Sequence, residues 1–243
     1  MRRLFPDPGD IDPIDAYGRL NRVGDRPRVR LNMIASIDGA GSFDGRSAGL
    51  GGPADKALFS TLRSLADVIL VGAATMRTEN YGPALLDDTA RHRRRQWGLP
   101  PVPPIAVVTR ACRLDWGSPF FREAEQCPII ITAASAASQD RARAAEVADL
   151  VLAGDDQVDL ALALRALGDL GHDNVLAEGG PGVAAQLASS DLLDELCITL
   201  SPLLTAGDAG RIINGHPIEP PTRLELHHVL QSENFLFLRY LRR

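Results

Sequence analysis

Three short stretches of the chain carry residue types suited to holding a nucleotide. Val175-Leu176-Ala177-Glu178-Gly179-Gly180-Pro181-Gly182-Val183 reads as a strand, a tight turn and a helix. Its glycines remove Cβ atoms where backbone must turn or be approached, and Pro181 suits the first position of a helix. The first amides of a helix lack intrahelical partners and lie at the positive end of its dipole, so a phosphate or pyrophosphate is a natural ligand there. Taken alone, the stretch reads equally well as a glycine-rich connection. Gly72-Ala73-Ala74-Thr75 follows the apolar run Val68-Ile69-Leu70-Val71 and offers a second glycine turn with a hydroxyl. Thr109-Arg110 closes the run Ile105-Ala106-Val107-Val108 and offers a hydroxyl and a guanidinium, although the pair alone reads as an ordinary strand end. A guanidinium accommodates a 2′-phosphate, which favours NADPH over NADH.

Positioning these groups falls to alternating strands and helices. Residues 1–27, rich in Pro, Gly, Asp and Arg, predict an extended arm lying over a single domain that runs from 28 to 243. Val29 to Ile37 reads as the first strand, ended by the turn signal Asp38-Gly39, and a glycine-rich loop from Ala40 to Gly52 is flexible unless a ligand orders it. Pro53 opens a helix with Leu58, Leu62 and Leu65 on one face. Strands at 67–72, 105–109, 129–132, 150–152 and 175–177 then alternate with helices, which implies parallel pairing through right-handed crossovers. Beyond the Gly179 turn, Leu196 to Leu200 reads as a strand, and Leu224 to Leu230 with Phe235 to Leu241 as a hairpin. The expected fold is therefore α/β, a mostly parallel mixed sheet with an antiparallel C-terminal edge hairpin and helices on both faces. The last strand is apolar on both faces, so it is expected to be covered or to join a second subunit. In such a sheet the carboxyl ends of strands line the ligand crevice, which brings residues far apart in sequence to one place.

Several function classes are disfavoured. Net charge is −5 and the pI about 5.5, which gives no basic field for nucleic acid. No apolar run approaches the ~18 residues that span a bilayer, and Met1-Arg2-Arg3 leads into prolines and aspartates rather than a signal peptide, so a cytoplasmic protein is the default. Cys112, Cys127 and Cys197 form no C-x-x-C pair, and Cys127 and Cys197 read as small buried residues. The histidines show no metal-site spacing, with His227 and His228 expected on opposite strand faces, so no metal is expected. The run Arg91-His92-Arg93-Arg94-Arg95 reads as a solvated helix face. There is no P-loop, no G-x-G-x-x-G after a strand, no G-x-S-x-G elbow and no zinc-deaminase signature.

In order along the chain stand Ser36-Ile37-Asp38-Gly39, Gly52-Pro53-Ala54-Asp55, Leu62-Arg63, Ala66-Asp67-Val68-Ile69-Leu70-Val71-Gly72-Ala73-Ala74-Thr75, Glu178-Gly179-Gly180-Pro181, Leu193-Asp194-Glu195-Leu196 and Ser201-Pro202-Leu203-Leu204. This set resembles the RibD C-terminal reductases of the riboflavin pathway, whose fold is that of dihydrofolate reductase. The resemblance implies an NADPH-dependent reduction of the ribosylamino group of a phosphorylated aminopyrimidine to ribitylamino, in a homodimer. It implies that Ala35, Gly72, Ala73, Thr75, Thr109, Arg110, Gly179, Gly180, Pro181, Gly182 and Val183 contact the cofactor. Asn32, Ser36 and Glu178 would meet the substrate. Asp38 would act in catalysis, by stabilising a protonated imine or relaying its proton. The family often has a basic residue after S-x-D-G, whereas this chain has Ala40, so a substrate phosphate falls to Arg46, Lys56 or Arg77. A dihydrofolate or pterin substrate on the same scaffold, or NADPH binding without catalysis, are the alternatives.

Overall fold

Hydropathy and turn residues set the element order. Along the chain stand β1 (Arg2–Phe5), β2 (Gly9–Asp10), α1 (Pro13–Tyr17), β3 (Arg28–Ser36), α2 (Pro53–Leu65), β4 (Val68–Gly72) and α3 (Ala73–Thr78). They continue with α4 (Asp88–Gln96), β5 (Ile105–Val108), α5 (Pro119–Arg122), β6 (Ile129–Thr132), α6 (Ser138–Ala145) and β7 (Asp149–Leu152). The last are α7 (Leu160–Asp169), β8 (Asn174–Ala177), α8 (Pro181–Ser189), β9 (Glu195–Ser201), β10 (Leu224–Ser232) and β11 (Phe235–Arg242). The computed structural model describes residues 1–242 apart from Asn21 and Val23. Those two residues of the expected arm, and Arg243 at the end of the expected domain, lie outside the described residues.

The chain divides into two compact units. The second comprises Leu20–Arg28 and Arg63–Leu176, and its strands run in the order β8-β4-β5-β6-β7, with β4 to β7 parallel. All of β4 and β6 is buried, as expected of apolar runs covered on both faces. Ile69, Val71, Val107 and Ile130 pack with Phe120 and Phe121 in its core. Burying side chains of this size contributes about 1.5–3 kcal/mol each. The basic run is only partly solvated. Arg94 is wholly buried on α4, where Nε donates to Pro100 O at 2.8 Å and Nη1 to Ser64 O at 3.1 Å and to Ala66 O. Burying a guanidinium is costly, and the three carbonyls on its Nε and Nη1 offset part of that cost. Cys127 is exposed, because β6 begins two residues after it.

The first unit comprises Met1–Arg19, Val29–Leu62 and Ala177–Arg243, with strands in the order β2-β1-β10-β11-β9-β3. Only β3 and β9 run parallel; β9, β11, β10, β1 and β2 pair antiparallel in turn. The expected C-terminal hairpin is therefore present, but its last strand is no edge, since β11 lies between β9 and β10. The arm does more than lie over the unit, because β1 pairs with β10 and extends the sheet.

A buried ion triad latches the arm. Arg30 and Glu195 are 1% and 2% exposed, and Arg30 Nε donates to Glu195 Oε2 at 2.8 Å. Arg239 Nε donates to the same oxygen at 3.1 Å, and its Nη2 to Glu195 Oε1. Two cations meet one anion. The spare donors reach the end of α1: Arg239 Nη1 donates to Ala16 O at 2.9 Å, Arg30 Nη2 to Tyr17 O at 2.9 Å and Arg30 Nη1 to Gly18 O at 3.2 Å. Free carbonyls at the negative end of a helix suit that surplus positive charge.

β10 also differs from the simple alternation. Its register shifts between Leu226 and His228, and the Nδ1 atoms of His227 and His228 come within 3.3 Å. An extra residue in one strand undoes the alternation that would send adjacent side chains to opposite faces.

Candidate functional site

The turn after β3 is built around one carboxylate. Ser36 is fully buried; its hydroxyl donates to Asp38 Oδ1 and accepts from Ala40 N at 2.9 Å. Gly39, at φ +96°, supplies the left-handed backbone that the turn needs. Asp38 also accepts from Ala206 N at 2.7 Å, from Thr205 N at 3.2 and 3.3 Å, and from Thr205 Oγ1 at 3.3 Å. The Ser36 hydroxyl and then the Ala206 amide hold the Asp38 carboxyl down at about 2. Those hydrogen bonds favour the ionised form at neutral pH and fix the carboxylate in the turn.

In the same unit, Gly179 takes φ +88°, and a Cβ there would lie 3.1 Å from Met33 Sδ. Gly180 is the N-cap of α8, with Pro181 at the helix start and no side chain capping it. Ala184 N donates to Gly180 O at 2.9 Å, so the helix is regular from its first turn. A bare helix start between Gly180 and Gly182 fits a phosphate group, because neither residue adds a Cβ between an anion and the amides. Glu178, just before it, is buried.

Alternation along β3 separates two of the expected groups. Met33, which abuts Gly179, and Ala35 share one face of the strand, whereas Asn32 and Ser36 lie on the other, with Arg30. Asn32 Oδ1 is buried without a hydrogen-bond partner. Arg46 and Lys56 are exposed, the first before the 3-10 turn Ser47–Leu50 and the second on α2. The glycine-rich loop that carries Arg46 is fixed at both ends. Gly41 N donates to Gly210 O at 2.9 Å, and Ser201 Oγ donates to Leu50 O at 2.7 Å.

In the second unit, Gly72 is the N-cap of α3, again without a side-chain cap. Ala73 is buried, Thr75 half-buried and Arg77 exposed on that helix. Thr109 is buried and its Oγ1 accepts from Cys112 N at 3.2 Å, so the hydroxyl braces its own turn. Arg110 is exposed, and Thr132 Oγ1 donates to its carbonyl at 3.2 Å, which fixes the backbone beneath a guanidinium open to solvent. Among the described residues no group of three His, Cys, Asp or Glu side chains is placed to hold a metal ion, and no helix is long and apolar enough to cross a membrane.

Thr205, Ala206 and Asn214, all in the β9–β10 connection, are absent from the sequence-derived set. Their nearest signal is Ser201-Pro202-Leu203-Leu204, one of the motifs that carry the family resemblance, which stops one residue before Thr205.

Residues 27–238 match the family described as the RibD C-terminal domain. A 2,5-diamino-6-ribosylamino-4(3H)-pyrimidinone 5′-phosphate reductase of Archaeoglobus fulgidus is 26% identical over 203 residues, 82% of this chain and 92% of the relative. The protein of the same name from Methanothermobacter thermautotrophicus is 29% identical over 207 residues, covering 83% and 91%. Among solved structures, a pyrimidine reductase-like protein of Corynebacterium diphtheriae superposes with a TM-score of 0.82 at 27% identity, over 95% of this chain and 98% of that one. The riboflavin biosynthesis reductase of Saccharomyces cerevisiae shares the fold with a TM-score of 0.69 at 18% identity, over 95% and 98% of the two chains. The α/β architecture is thus the dihydrofolate-reductase-like one of these reductases. This chain belongs to the RibD C-terminal domain family.

Proposed function

We propose that this chain is an NADPH-dependent reductase of a phosphorylated ribosylaminopyrimidine of riboflavin biosynthesis, converting the ribosylamino group to ribitylamino. The observation that carries the reading is the likeness, over more than four-fifths of the chain, to relatives named as reductases of such a pyrimidine 5′-phosphate. Those names favour the pyrimidine over dihydrofolate or another pterin.

Gly179 to Val183 hold the cofactor's pyrophosphate on the start of α8, with Ala35 beside Met33 under that turn. Gly72, Ala73 and Thr75 hold a second part of the cofactor, and the exposed Arg110, next to Thr109, takes its 2′-phosphate. Bound NADPH supplies a hydride; the protein supplies position and charge. Opening of the ribose ring, in which the C1–ring-oxygen bond breaks and the ring oxygen takes a proton from solvent to become a hydroxyl, would leave a protonated imine at the sugar carbon. A hydride from the cofactor would then reduce that carbon, with the C=N π electrons returning to nitrogen to give a neutral ribityl amine. Asp38 stabilises the iminium as a negative charge or relays its proton. Ser36, sealed from solvent, orients Asp38. Asn32 and Glu178 offer acceptors to the sugar hydroxyls or ring amino groups. Arg46, Lys56 and Arg77 are the cations from which the substrate phosphate is bound.

The enzyme acts on a small molecule in the cytoplasm as a homodimer. Support for the dimer is a row of half-buried apolar residues across four strands of the first unit: Val229 pairs with Leu238, Leu238 with Ile198 and Ile198 with Met33. The test is NADPH consumption with the diamino-pyrimidinone phosphate and with its deaminated uracil counterpart. Turnover of either supports the reading, and turnover of a dihydropterin alone overturns it.

A further inference from the structure

The β9–β10 connection, residues 202–223, has no regular structure, yet it is laced to the rest of the first unit along its length. Ile37 N donates to Leu203 O at 3.1 Å, and the amides of Thr205 and Ala206 donate to Asp38. A Cβ on Gly41 would lie 3.0 Å from Gly210 O, so the two backbones meet there closely. Farther on, Asn214 N donates to Pro181 O at 3.2 Å, and a Cβ on Gly215 would lie only 2.6 Å from Ala185 Cβ. One segment thus touches both the Asp38 turn and the first turns of α8.

Ala206 adds an independent sign that this arrangement is imposed. Its φ of +52° is left-handed, a conformation that costs a residue with a Cβ about 1–2 kcal/mol. Its amide is held there by a 2.7 Å bond to an ionised carboxylate, the kind of charge-assisted bond that can offset such strain. Backbone kept in a costly conformation at a candidate site is a ground for inferring a role.

We propose that residues 203–215 form a strap that sets the position of the Asp38 turn relative to the start of α8. It is anchored at one end by the amides of Thr205 and Ala206 on the Asp38 carboxylate and at the other by Gly215, the positioning residue seated on α8. Resting on the reductase reading, the strap couples the turn that meets the sugar carbon to the helix that holds the cofactor's pyrophosphate. Hydride transfer tolerates little error in the approach of donor and acceptor, with productive contacts of about 3–3.5 Å. A segment that ties the two holding points together therefore acts on turnover without touching the reacting atoms. It also explains why Gly215 has no side chain: any Cβ would push the strap off α8.

The test is a double-mutant cycle on the full chain with Asp38→Asn and Gly215→Ala. Asparagine places an NH2 group where a carboxylate oxygen faces amide donors, and the alanine methyl must displace the strap or α8. The expected result is that Gly215→Ala raises the pyrimidine KM as well as the NADPH Kd, and that amide exchange at Thr205 and Ala206 quickens. The double variant then loses less kcat/KM than the product of the single losses, by at least about threefold, since coupled sites interact by roughly 0.5–3 kcal/mol. Adding Ala185→Gly to Gly215→Ala removes the atom that the new methyl meets and restores both constants. Independent, multiplicative losses overturn the proposal, as does unchanged exchange at Thr205 and Ala206 in Gly215→Ala. If the wild type reduces neither pyrimidine, the reductase reading fails separately, and the exchange measurement still decides whether the strap links the two ends.

Discussion

Arg30 Nε lies 2.8 Å from Glu195 Oε2, and both side chains are almost completely sealed from solvent. Burial alone would raise the Glu195 carboxyl, but Arg30 and then Arg239 outweigh it and hold it below its ordinary range. Removing the anion leaves two buried guanidiniums facing each other across an uncharged group. Glu195→Gln is expected to destabilise the protein by about 3–5 kcal/mol, the usual cost of breaking a buried pair. Urea unfolding at neutral pH measures it. The sign with pH follows from the depressed carboxyl: the stabilisation is full above the ordinary value of 4.5 and is lost as pH falls through the lower folded value. Wild-type stability therefore falls on acidification below about pH 4.5 more steeply than that of Glu195→Gln.

Arg110 presents an exposed guanidinium over a backbone fixed by Thr132. If it takes the 2′-phosphate, Arg110→Gln weakens NADPH and leaves NADH nearly unaffected. A hydrogen bond to a charged group is worth about 1.5–3 kcal/mol, so the NADPH KM should rise about 10- to 100-fold. Steady-state kinetics with both cofactors measure the ratio; equal effects on the two would remove Arg110 from the site.

Leu238 lies opposite both Val229 and Ile198 in a row that is only half-buried. Leu238→Asp places a charge in the middle of that row and is expected to shift a dimer to monomer in sedimentation velocity. A wild type that sediments as a monomer, or a variant that stays dimeric, would exclude this face as the interface.

Cys127 is the exposed cysteine, whereas Cys112 and Cys197 are buried, and burial pushes the Cys197 thiol up to about 12. Alkylation of the folded protein followed by mass spectrometry should label Cys127 and spare the other two. Denaturation should expose all three.

Much of this was legible in the sequence because it depends on local rules. Continuous apolar runs gave the buried strands, Pro53 and Pro181 marked helix starts, and glycine turns marked where those helices begin. The hidden parts depend on contacts between distant segments. Four residues of β1 carry no strand signal, and it is pairing with β10 and the latch of α1 on Arg30 and Arg239 that place the arm. Arg94 looks like one of five similar residues until packing selects it for the interior. The partners of Asp38 were invisible because Thr205 and Ala206 lie more than 160 residues away and act mainly through backbone amides, which any residue type but proline supplies.

The central claim is hydride transfer from NADPH to a sugar carbon, and isotope transfer tests it most directly. With NADPH deuterated at the transferring C4 position and the ribosylaminopyrimidine phosphate as substrate, mass spectrometry should find one deuterium on the ribityl carbon bound to nitrogen. Cofactor would be consumed one for one with product. Consumption without deuterium in the product, or no consumption with either candidate pyrimidine, would contradict the account.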